Sequence, residues 1–477
     1  MTPRNALGVF LMTVTPLALA LDEAWDFTPR LSLSQDYSDN IGLASPGEEE
    51  SEFITQLNTG FNLNRDGARA RAQLGYNLQS LFYWQDSNDS ALFHQFFGNG
   101  RVDLLPERFF IDSAASFSQR QLTRARAGAD NLNLDNNRGD VLTFSISPVY
   151  LQQFEDLATA QLRYSYNRVD TQGNEGGNSQ LNTVSLNLDS GPQFSRFGWG
   201  LALNYSQTDA DGGASTTQQN AEALGRWNVT DRLDLFAVVG YEQDAFDQDD
   251  GNTQSDGLIW RLGSTYEPSA RTLLEAFFGK RAFGTNYGAT ARHRMRNSQF
   301  TLDYTESVTS VTQFEIDQTI PRGVNQTIEE ALIVEGEPFL FDLETPELRS
   351  GSFVSKRLSA GYTGQRRKLG WGLRVFHEQR DYEISNDSEE AQSIAGNLSW
   401  QWRPRTSVFA NASRQESTFA GQAGEETLSA TQFGISRQFG NQVSASVQYS
   451  YRDLESSRPE SDGYQENRVS ATLQKTF

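Results

Sequence analysis

The chain has 477 residues, of which 40 are Lys or Arg and 61 are Asp or Glu, and its formal net charge is −21. This acidic balance argues against nucleic acid as a partner, because a phosphate backbone is bound through Lys and Arg. The absence of cysteine excludes disulfides and Cys-ligated zinc. A mean hydropathy of −0.57, with no long apolar run after the N-terminus, excludes a helical membrane protein, yet an aromatic content of 12% is too high for a disordered chain.

The first residues predict a secretory signal peptide over residues 1–20. Arg4 supplies a short basic region, residues 6–19 form an apolar stretch, and an A-x-A cleavage pattern ends at Ala20. A buried N-terminal helix is the alternative, but the apolar stretch is short and acidic residues follow it at once. We therefore expect an exported protein whose mature part, residues 21–477, forms a single domain.

From residue 25 onward, apolar and polar residues alternate in segments of about ten residues, which is typical of strands in a sheet with two unlike faces. In one segment Leu57, Thr59, Phe61 and Leu63 share a face, and Gln56, Asn58, Asn62 and Asn64 share the other. The same alternation recurs at 70–79, 233–241 and 443–451. Helical spacing fits none of these segments, so the chain is predicted to be nearly all β.

Short turns and long polar loops alternate between these segments. Short turns are predicted at 65–67, 105–107, 228–232, 267–269, 364–368, 403–405 and 440–441. Long loops are predicted at 38–52, 85–91, 119–138, 170–179, 208–217, 242–256, 282–290, 320–352, 381–389, 416–426 and 452–464. Tight turns at one end and long loops at the other are typical of bacterial outer-membrane barrels. The pattern predicts about 22 strands. Two ambiguous stretches, 189–199 and 309–319, widen the range to about 18–22.

A closed barrel explains how so polar a chain spans a membrane. In hydrocarbon every backbone N–H and C=O must be paired within the protein, and a closed sheet leaves no open edge. The apolar face of each strand would meet lipid, and the polar face would line the lumen. The predicted fold is therefore all-β, a transmembrane antiparallel up-and-down β-barrel in the outer membrane of a Gram-negative cell.

Aromatic residues concentrate where the predicted strands end, as expected for girdles at the level of the lipid headgroups, although packing in a soluble core is the alternative. They are Tyr83, Trp84, Phe109, Phe110, Trp199, Trp227, Tyr266, Trp371, Trp400 and Trp402. The last strand alternates up to Phe477 and resembles the C-terminal signature of barrels inserted by the outer-membrane assembly machinery. Lys475 departs from that pattern, but its stem can snorkel near the membrane edge.

A resemblance to a known family begins at the mature N-terminus. The runs at 25–41, 53–60 and 74–83 resemble the opening strands of PEP-CTERM system-associated outer-membrane proteins. The likeness is clearest over residues 25–120. The Asp39-Asn40 step followed by an apolar residue also occurs in wider families of porin-like barrels.

This resemblance implies a role in exopolysaccharide export or cell-envelope assembly, because members of the family are encoded with exopolysaccharide and exosortase-type sorting systems. Polysaccharide-export components are then expected partners, beside outer-membrane lipid, lipopolysaccharide and the assembly machinery. The resemblance implies no catalytic residues, and we expect no cofactor.

Three arginines form the first candidate site. Arg292, Arg294 and Arg296 are spaced at i, i+2 and i+4, so on a strand they share one face, predicted to line the lumen just below an extracellular loop. Three guanidiniums in a row can guide an anionic saccharide or hold a lipid phosphate. The alternative is that they neutralise carboxylates across the lumen of this acidic chain.

Acidic residues form the second candidate site. Segment 320–352 contains Glu329, Glu330, Glu335 and Glu337, and it is long enough to fold inward as a constriction that favours cations. Acidic clusters at 48–52 and 247–250 lack the ligand order of a calcium loop, so we expect solvated charge there and no metal site.

Three functions remain open at this point. The first is a passive conduit, and the second is a non-conducting structural or binding barrel that anchors surface polymer or partner proteins through its acidic loops. The third is an enzyme, which we do not expect. His94, His293 and His377 are the only histidines, they lie far apart, and no catalytic motif accompanies them.

Overall fold

The computed structural model describes residues 25–85, 90–121, 128–134, 137–172, 178–210, 215–248, 251–310, 352–382, 387–419, 423–459 and 461–477. The predicted signal peptide lies outside these residues, so its cleavage stays a prediction. Within them, no helix is long and apolar enough to cross a membrane.

The described residues form 22 strands and one short 3-10 turn at Pro192–Phe194. The strands are β1 (Asp26–Ser38), β2 (Glu52–Asp66), β3 (Ala70–Tyr83), β4 (Ala91–Leu105), β5 (Phe109–Gln121), β6 (Arg138–Phe154), β7 (Ala158–Thr171), β8 (Ser179–Ser190), β9 (Phe197–Ala210), β10 (Ser215–Thr230), β11 (Leu233–Gln248), β12 (Gly251–Ser269), β13 (Thr272–Arg281), β14 (Gly284–Arg294), β15 (Ser298–Ser310), β16 (Ser352–Arg366), β17 (Leu369–Tyr382), β18 (Ser388–Arg403), β19 (Thr406–Thr418), β20 (Glu425–Phe439), β21 (Val443–Ser456) and β22 (Tyr464–Thr476).

The sheet closes on itself. Each strand pairs antiparallel with the next along the chain, and β1 also pairs with β22 in a register that sets Arg30 opposite Thr476 and Ser38 opposite Arg468. The Phe477 N–H donates to Pro29 O at 3.0 Å and completes this seam at the chain termini. The transmembrane, up-and-down antiparallel barrel is thus confirmed, with the strand number at 22.

The barrel has two unlike ends. Short turns such as 67–69 and 404–405 lie at the end that holds both termini of the sheet, here called the short-turn end, and the opposite end is called the long-loop end. The predicted long loops at 242–256 and 282–290 are wrong, because paired strands run through them: Gln248 pairs with Gly251, and Arg281 pairs with Gly284. The ambiguous stretch 189–199 contains the end of β8, a short turn at 191–196 with the 3-10 residues, and the start of β9.

The two faces of the wall differ as the alternation predicts. Outward positions carry apolar side chains that remain exposed in the isolated chain, among them Leu31 and Leu33 on β1, Leu201 and Leu203 on β9, and Leu258 and Leu262 on β12. Inward positions are mostly polar, among them Ser32 and Ser34 on β1, Asn58 on β2 and Gln432 on β20. Lipid can therefore cover the outer face while every ladder hydrogen bond is made within the sheet.

The predicted girdle is correct for one member of each adjacent aromatic pair. Trp84 lies on the outer face and is 69% exposed, whereas Tyr83 is buried on the lumen side. Phe110 also faces inward, where the Arg101 guanidinium lies 4.1 Å from its ring centroid. Successive side chains on a strand point to opposite faces, so two neighbouring aromatics cannot both meet lipid.

Candidate functional site: the lumen

A segment of the β5–β6 connection lies inside the barrel. Residues 128–134 run along the lumen face of β20–β22 and β1–β3, near the long-loop end. The Tyr83 hydroxyl donates to Leu132 O at 2.8 Å, and the Asn131 amide donates to Gln79 Oε1 at 2.9 Å. The Leu134 N–H donates to Ile41 O at 3.0 Å. We call residues 128–134 the inner segment.

Two apolar clusters hold the inner segment against the wall. Leu132 and Leu134 pack on a buried cluster of Ile41, Ile54, Leu81 and Tyr83. Ala129 packs on a second cluster of Leu43, Leu428, Leu454 and Tyr464. These side chains face inward, so a lumen that is otherwise polar carries apolar surface at the place where the inner segment covers it.

A buried charge network ties the same segment to β21 and β22. Asp130 accepts hydrogen bonds from Arg468 at 2.6 Å and from Arg452 at 2.8 Å. Glu466, which is 1% exposed, accepts from both arginines, from Ser38 Oγ at 2.7 Å and from the Asn133 amide at 3.1 Å. Two guanidiniums thus face two carboxylates, which is the condition under which buried charge is tolerated.

The ionisation of Asp130 reflects this network. Burial by itself raises the pKa of Asp130, but the attraction and hydrogen bonds of Arg468 and Arg452 outweigh it and hold the pKa below the usual range of an aspartate. Asp130 is therefore charged at neutral pH. The link between the inner segment and the wall persists as long as that charge does.

The arginine trio lies at the short-turn end and not below a long loop, so that part of its prediction is wrong. Arg292 and Arg294 occupy alternate positions near the end of β14, opposite Thr301 and Gln299 on β15. They share the inward face of β14 with Thr290, whose hydroxyl donates to Asp303 at 3.0 Å. Arg296 lies beyond the strand, in the turn closed by the Met295 N–H to Ser298 O bond at 2.8 Å.

Basic residues also lie at or beside the next three short turns of this end, which join β16 to β17, β18 to β19 and β20 to β21. Together with the trio they form what we call the basic rim, defined as Arg292, Arg294, Arg296, Arg366, Arg367, Lys368, Arg403, Arg405 and Arg437. The stretches 291–300, 362–372, 398–409 and 434–446, which hold these turns, contain no Asp or Glu. Across the part of the chain that the structure describes, none of the nine forms an ion pair.

Several arginines elsewhere in the lumen are paired. Asp112 accepts from Arg101 at 2.6 Å and from Arg163 at 3.3 Å, and Glu378 accepts from Arg380 at 2.7 Å. Arg261 pairs with Glu222 and Arg281 with Glu242. Carboxylates on the same strand or one or two strands away thus neutralise these arginines, and among the described residues none neutralises Arg292, Arg294 or Arg296.

The other predicted residues have mixed outcomes. Glu329, Glu330, Glu335 and Glu337 lie outside the described residues, so the constriction they predict stays a prediction. Glu52 is 2% exposed and accepts from the backbone N–H groups of Trp84 and Gln85, so its reading as solvated charge is wrong. Among the described residues there is no cluster of His, Cys, Asp or Glu suited to a metal ion.

The three histidines lie on the outer face of the wall. His94 bonds Tyr76, and His293 bonds Thr272 at 2.8 Å. His377 lies 3.6 Å from Glu390. None of the three faces the lumen.

Sequence reasoning missed the inner segment. Residues 119–138 resemble an ordinary polar loop, and the available signal was the spacing of Leu132 and Leu134 between asparagines. Apolar residues at alternate positions of a polar loop indicate a buried face. The surface that buries them comes from Ile41, β2 and β3, far earlier in the chain, so no neighbouring segment of the sequence reveals it.

Comparisons with known proteins agree with this architecture. A family model described as "Protein of unknown function, DUF481" matches residues 174–262, which take in β8 to β11 and part of β12. No curated protein matches the chain.

Solved structures of similar shape are outer-membrane barrels. A variant of the ferric enterobactin receptor from Pseudomonas aeruginosa aligns with a TM-score of 0.51 and 11% identity over 95% of this chain and 80% of that one. The FrpB iron transporter from Neisseria meningitidis aligns with a TM-score of 0.55 and 8% identity over 95% of this chain and 82% of that one. At these identities the likeness establishes the barrel fold and nothing about a ligand.

Proposed function

We propose that the chain is a passive conduit for polar solutes across the outer membrane. The observation that carries this proposal is the lumen of a closed ring of 22 strands whose inner faces are mostly polar. A ring of this strand number encloses more space than wall side chains fill, so water or a folded segment occupies it. Among the described residues, the inner segment covers only the side formed by β20–β22 and β1–β3.

The charge pattern of the inner wall supports a water-filled lumen. Lumen arginines such as Arg101, Arg163 and Arg380 are held by carboxylates on the same strand or one or two strands away. Paired charges and neutral amides can border water without binding an ion tightly, because each charge already has its counter-ion. A lumen of this kind suits passage better than catalysis, and the outward position of all three histidines fits the same view.

The finer role rests on the resemblance of residues 25–120 to PEP-CTERM system-associated proteins. Under that proposal the protein is exported by its signal peptide, lies in the outer membrane of a Gram-negative cell with its short-turn end in the periplasm, and serves exopolysaccharide export or envelope assembly. Removing the protein from its host should then lower secreted polysaccharide and raise the periplasmic amount. Unchanged amounts in both places would contradict this finer role.

Single-channel conductance tests the conduit itself. The refolded mature chain is inserted into a planar bilayer, with folding verified by its β-sheet circular dichroism and its heat-dependent mobility in detergent gels. Steady openings are expected. Silence from a folded barrel would contradict the conduit and favour the second candidate, a non-conducting barrel that anchors polymer or partner proteins. The specific observation in favour of that candidate is the inner segment, which is fixed in the lumen by buried charge.

A salt gradient across the same bilayer tests the predicted acidic constriction. If Glu329, Glu330, Glu335 and Glu337 line the narrowest part, the channel prefers cations. Replacing all four with Gln should then abolish the preference. Anion preference in the wild-type channel would contradict the constriction.

A further inference from the structure

Beside the arginine trio, a groove opens at the short-turn end of the lumen. It has a volume of about 630 Å³ and is lined by Arg294, Arg296, Gln299, Gln365, Asn397 and Trp371, together with the hydroxyls of Thr363 and Ser399. We call it the arginine groove. Its volume lies within the range of about 300–1,000 Å³ that small-molecule sites occupy.

Local geometry explains why the groove exists. The β16–β17 hairpin extends past the β14–β15 turn, to which it is joined by the Gln365 N–H to Asn297 O bond at 2.8 Å, so the rim of the barrel is stepped here. Two glycines on β17 then leave room for side chains at the base of the groove. A Cβ at Gly372 would lie 2.2 Å from Asn397 Oδ1, and one at Gly370 would lie 2.6 Å from Ser399 Oγ. The polar side chains of β18 can therefore lie flat across β17.

The electrostatics of the groove differ from those of the lumen regions in which carboxylates lie beside the arginines. Seven other inward-facing arginines are neutralised, namely Arg101, Arg163, Arg261, Arg281, Arg380, Arg452 and Arg468. Arg294 and Arg296 have no ion-pair partner in the described part of the chain, and the acid-free basic rim extends from them along the turns of β16 to β21. In a chain of net charge −21, a zone of uncompensated positive charge attracts anions.

The other residues that line the groove indicate which class of anion fits it. Gln299, Gln365 and Asn397 each offer an amide donor and an amide acceptor, and hydroxyls of Thr363 and Ser399 add groups of both kinds. A lipid phosphodiester offers acceptors only, and inorganic phosphate carries few hydroxyl donors at neutral pH, so both leave amide oxygens unused. A hydroxylated ligand that also carries carboxylates uses guanidinium, amide and hydroxyl groups together.

We infer that the arginine groove binds an acidic saccharide at the short-turn mouth of the lumen. This inference rests on the proposed conduit and names a class of ligand that is held at its short-turn mouth. The ligand would approach from the short-turn side, where positive charge is uncompensated. Arg294 and Arg296 would hold a carboxylate, and the amides of β15, β16 and β18 would bind hydroxyls beside it.

Binding to the detergent-solubilised, folded full-length chain tests this inference without requiring conductance. The probe is fluorescein-labelled oligogalacturonate, followed by fluorescence polarisation at low salt. The double variant Arg294→Gln/Arg296→Gln should weaken binding about tenfold or more, since each charge-assisted contact is worth about a factor of ten. The matched control is Arg69→Gln/Arg108→Gln, which removes two arginines from the β2–β3 and β4–β5 turns on the opposite side of the same end, where Asp66 and Glu107 are neighbours. The control should bind as the wild type does.

Competition distinguishes the ligand classes. Neutral dextran oligomers of matched length and inorganic phosphate should displace the probe only at concentrations far above that of unlabelled oligogalacturonate. Phosphatidylglycerol added to the micelles should not displace it, because Arg294 faces the lumen. Equal loss in the control variant, or displacement by phosphate or phosphatidylglycerol as effective as by the saccharide, would overturn the inference. A wild-type barrel that binds the probe but passes no current would contradict the proposed conduit without contradicting saccharide binding in the arginine groove.

Discussion

Asp39 closes the barrel seam at the long-loop end by accepting two hydrogen bonds from Asn467. The backbone N–H and the side-chain amide of Asn467 both reach the Asp39 carboxylate at 2.7 Å, while the Asp39 N–H donates to Asn467 O at 3.1 Å. The next residue, Asn40, bonds the backbone of Ala44 and Gln465, and Ile41 enters the apolar cluster under the inner segment. The Asp-Asn-apolar step therefore joins the first strand to the last and places the inner segment.

Removing the Asp39 carboxylate should destabilise the junction between β1 and β22. Asp39→Ala should lower the free energy of unfolding by about 1–3 kcal/mol, because it leaves the Asn467 amide and N–H without their acceptor. Urea denaturation in detergent micelles, followed by tryptophan fluorescence, measures the change. Asp26→Ala is the control, since Asp26 lies at the start of β1 and its side chain forms no hydrogen bond or ion pair among the described residues. A loss as large in the control would contradict a specific role for Asp39.

Asp130→Asn should release the inner segment from the wall. The variant leaves Arg452 and Arg468 with Glu466 as the one carboxylate of the network described above, and breaking a buried ion pair typically costs about 3–5 kcal/mol. We expect larger single-channel conductance, since less of the lumen is covered. Asp112→Asn is the matched control, because it breaks the Arg101 and Arg163 pairs in the wall without touching the inner segment. Equal conductance in wild type and Asp130→Asn would contradict the prediction.

The same network predicts how the channel responds to acid. The pKa of Asp130 is held below its usual value, so the stabilisation is complete above the ordinary aspartate pKa and is lost as pH falls through the lower, folded-state pKa. Conductance should stay constant from about pH 8 to pH 5 and rise only below about pH 4. The Asp130→Asn channel should lack that rise at low pH. A step between pH 5 and pH 8 would show that another group controls the segment.

Adjacent residues of β9 test which face of the wall meets lipid. Leu203 lies on the outer face near the middle of the strand, and Asn204 lies on the lumen face beside it. Leu203→Arg should lower the free energy of unfolding in lipid vesicles by about 2–4 kcal/mol, because the guanidinium would enter hydrocarbon. Asn204→Arg should change stability far less, since water or polar groups face it. Similar losses for both variants would contradict the assignment of faces.

Much of the fold was predictable from local pattern. The alternation of Leu57, Thr59, Phe61 and Leu63 with polar neighbours assigns both faces of β2, because the side-chain period of a strand is two residues. The alternation of short turns and long loops indicates antiparallel neighbours and two unlike ends. The loop predicted at 282–290 failed because Gly284 and its neighbours resemble a polar loop, although a two-residue turn at 282–283 suffices to reverse the chain.

The site was predictable only in part. The spacing of Arg292 and Arg294 correctly predicts a shared inward face on a strand, but spacing along a strand carries no information about which end of the barrel they reach. Their lack of ion-pair partners depends on which residues of β15 to β18 lie across from them. The reading of Glu52 failed for a similar reason, because the backbone groups it binds belong to residues more than thirty positions away.

The sequence by itself determined the class of fold, the alternation of lipid and lumen faces and the polar character of the interior, because each depends on periodicity within a single strand. The tertiary structure alone decided where the chain folds back into its own lumen and which charges are compensated. Asp130 meets Arg452 and Arg468 across 322 and 338 residues, and only closure of the barrel brings such distant parts of the chain together. Long-range electrostatic partners are set by register and closure, and a local pattern encodes neither.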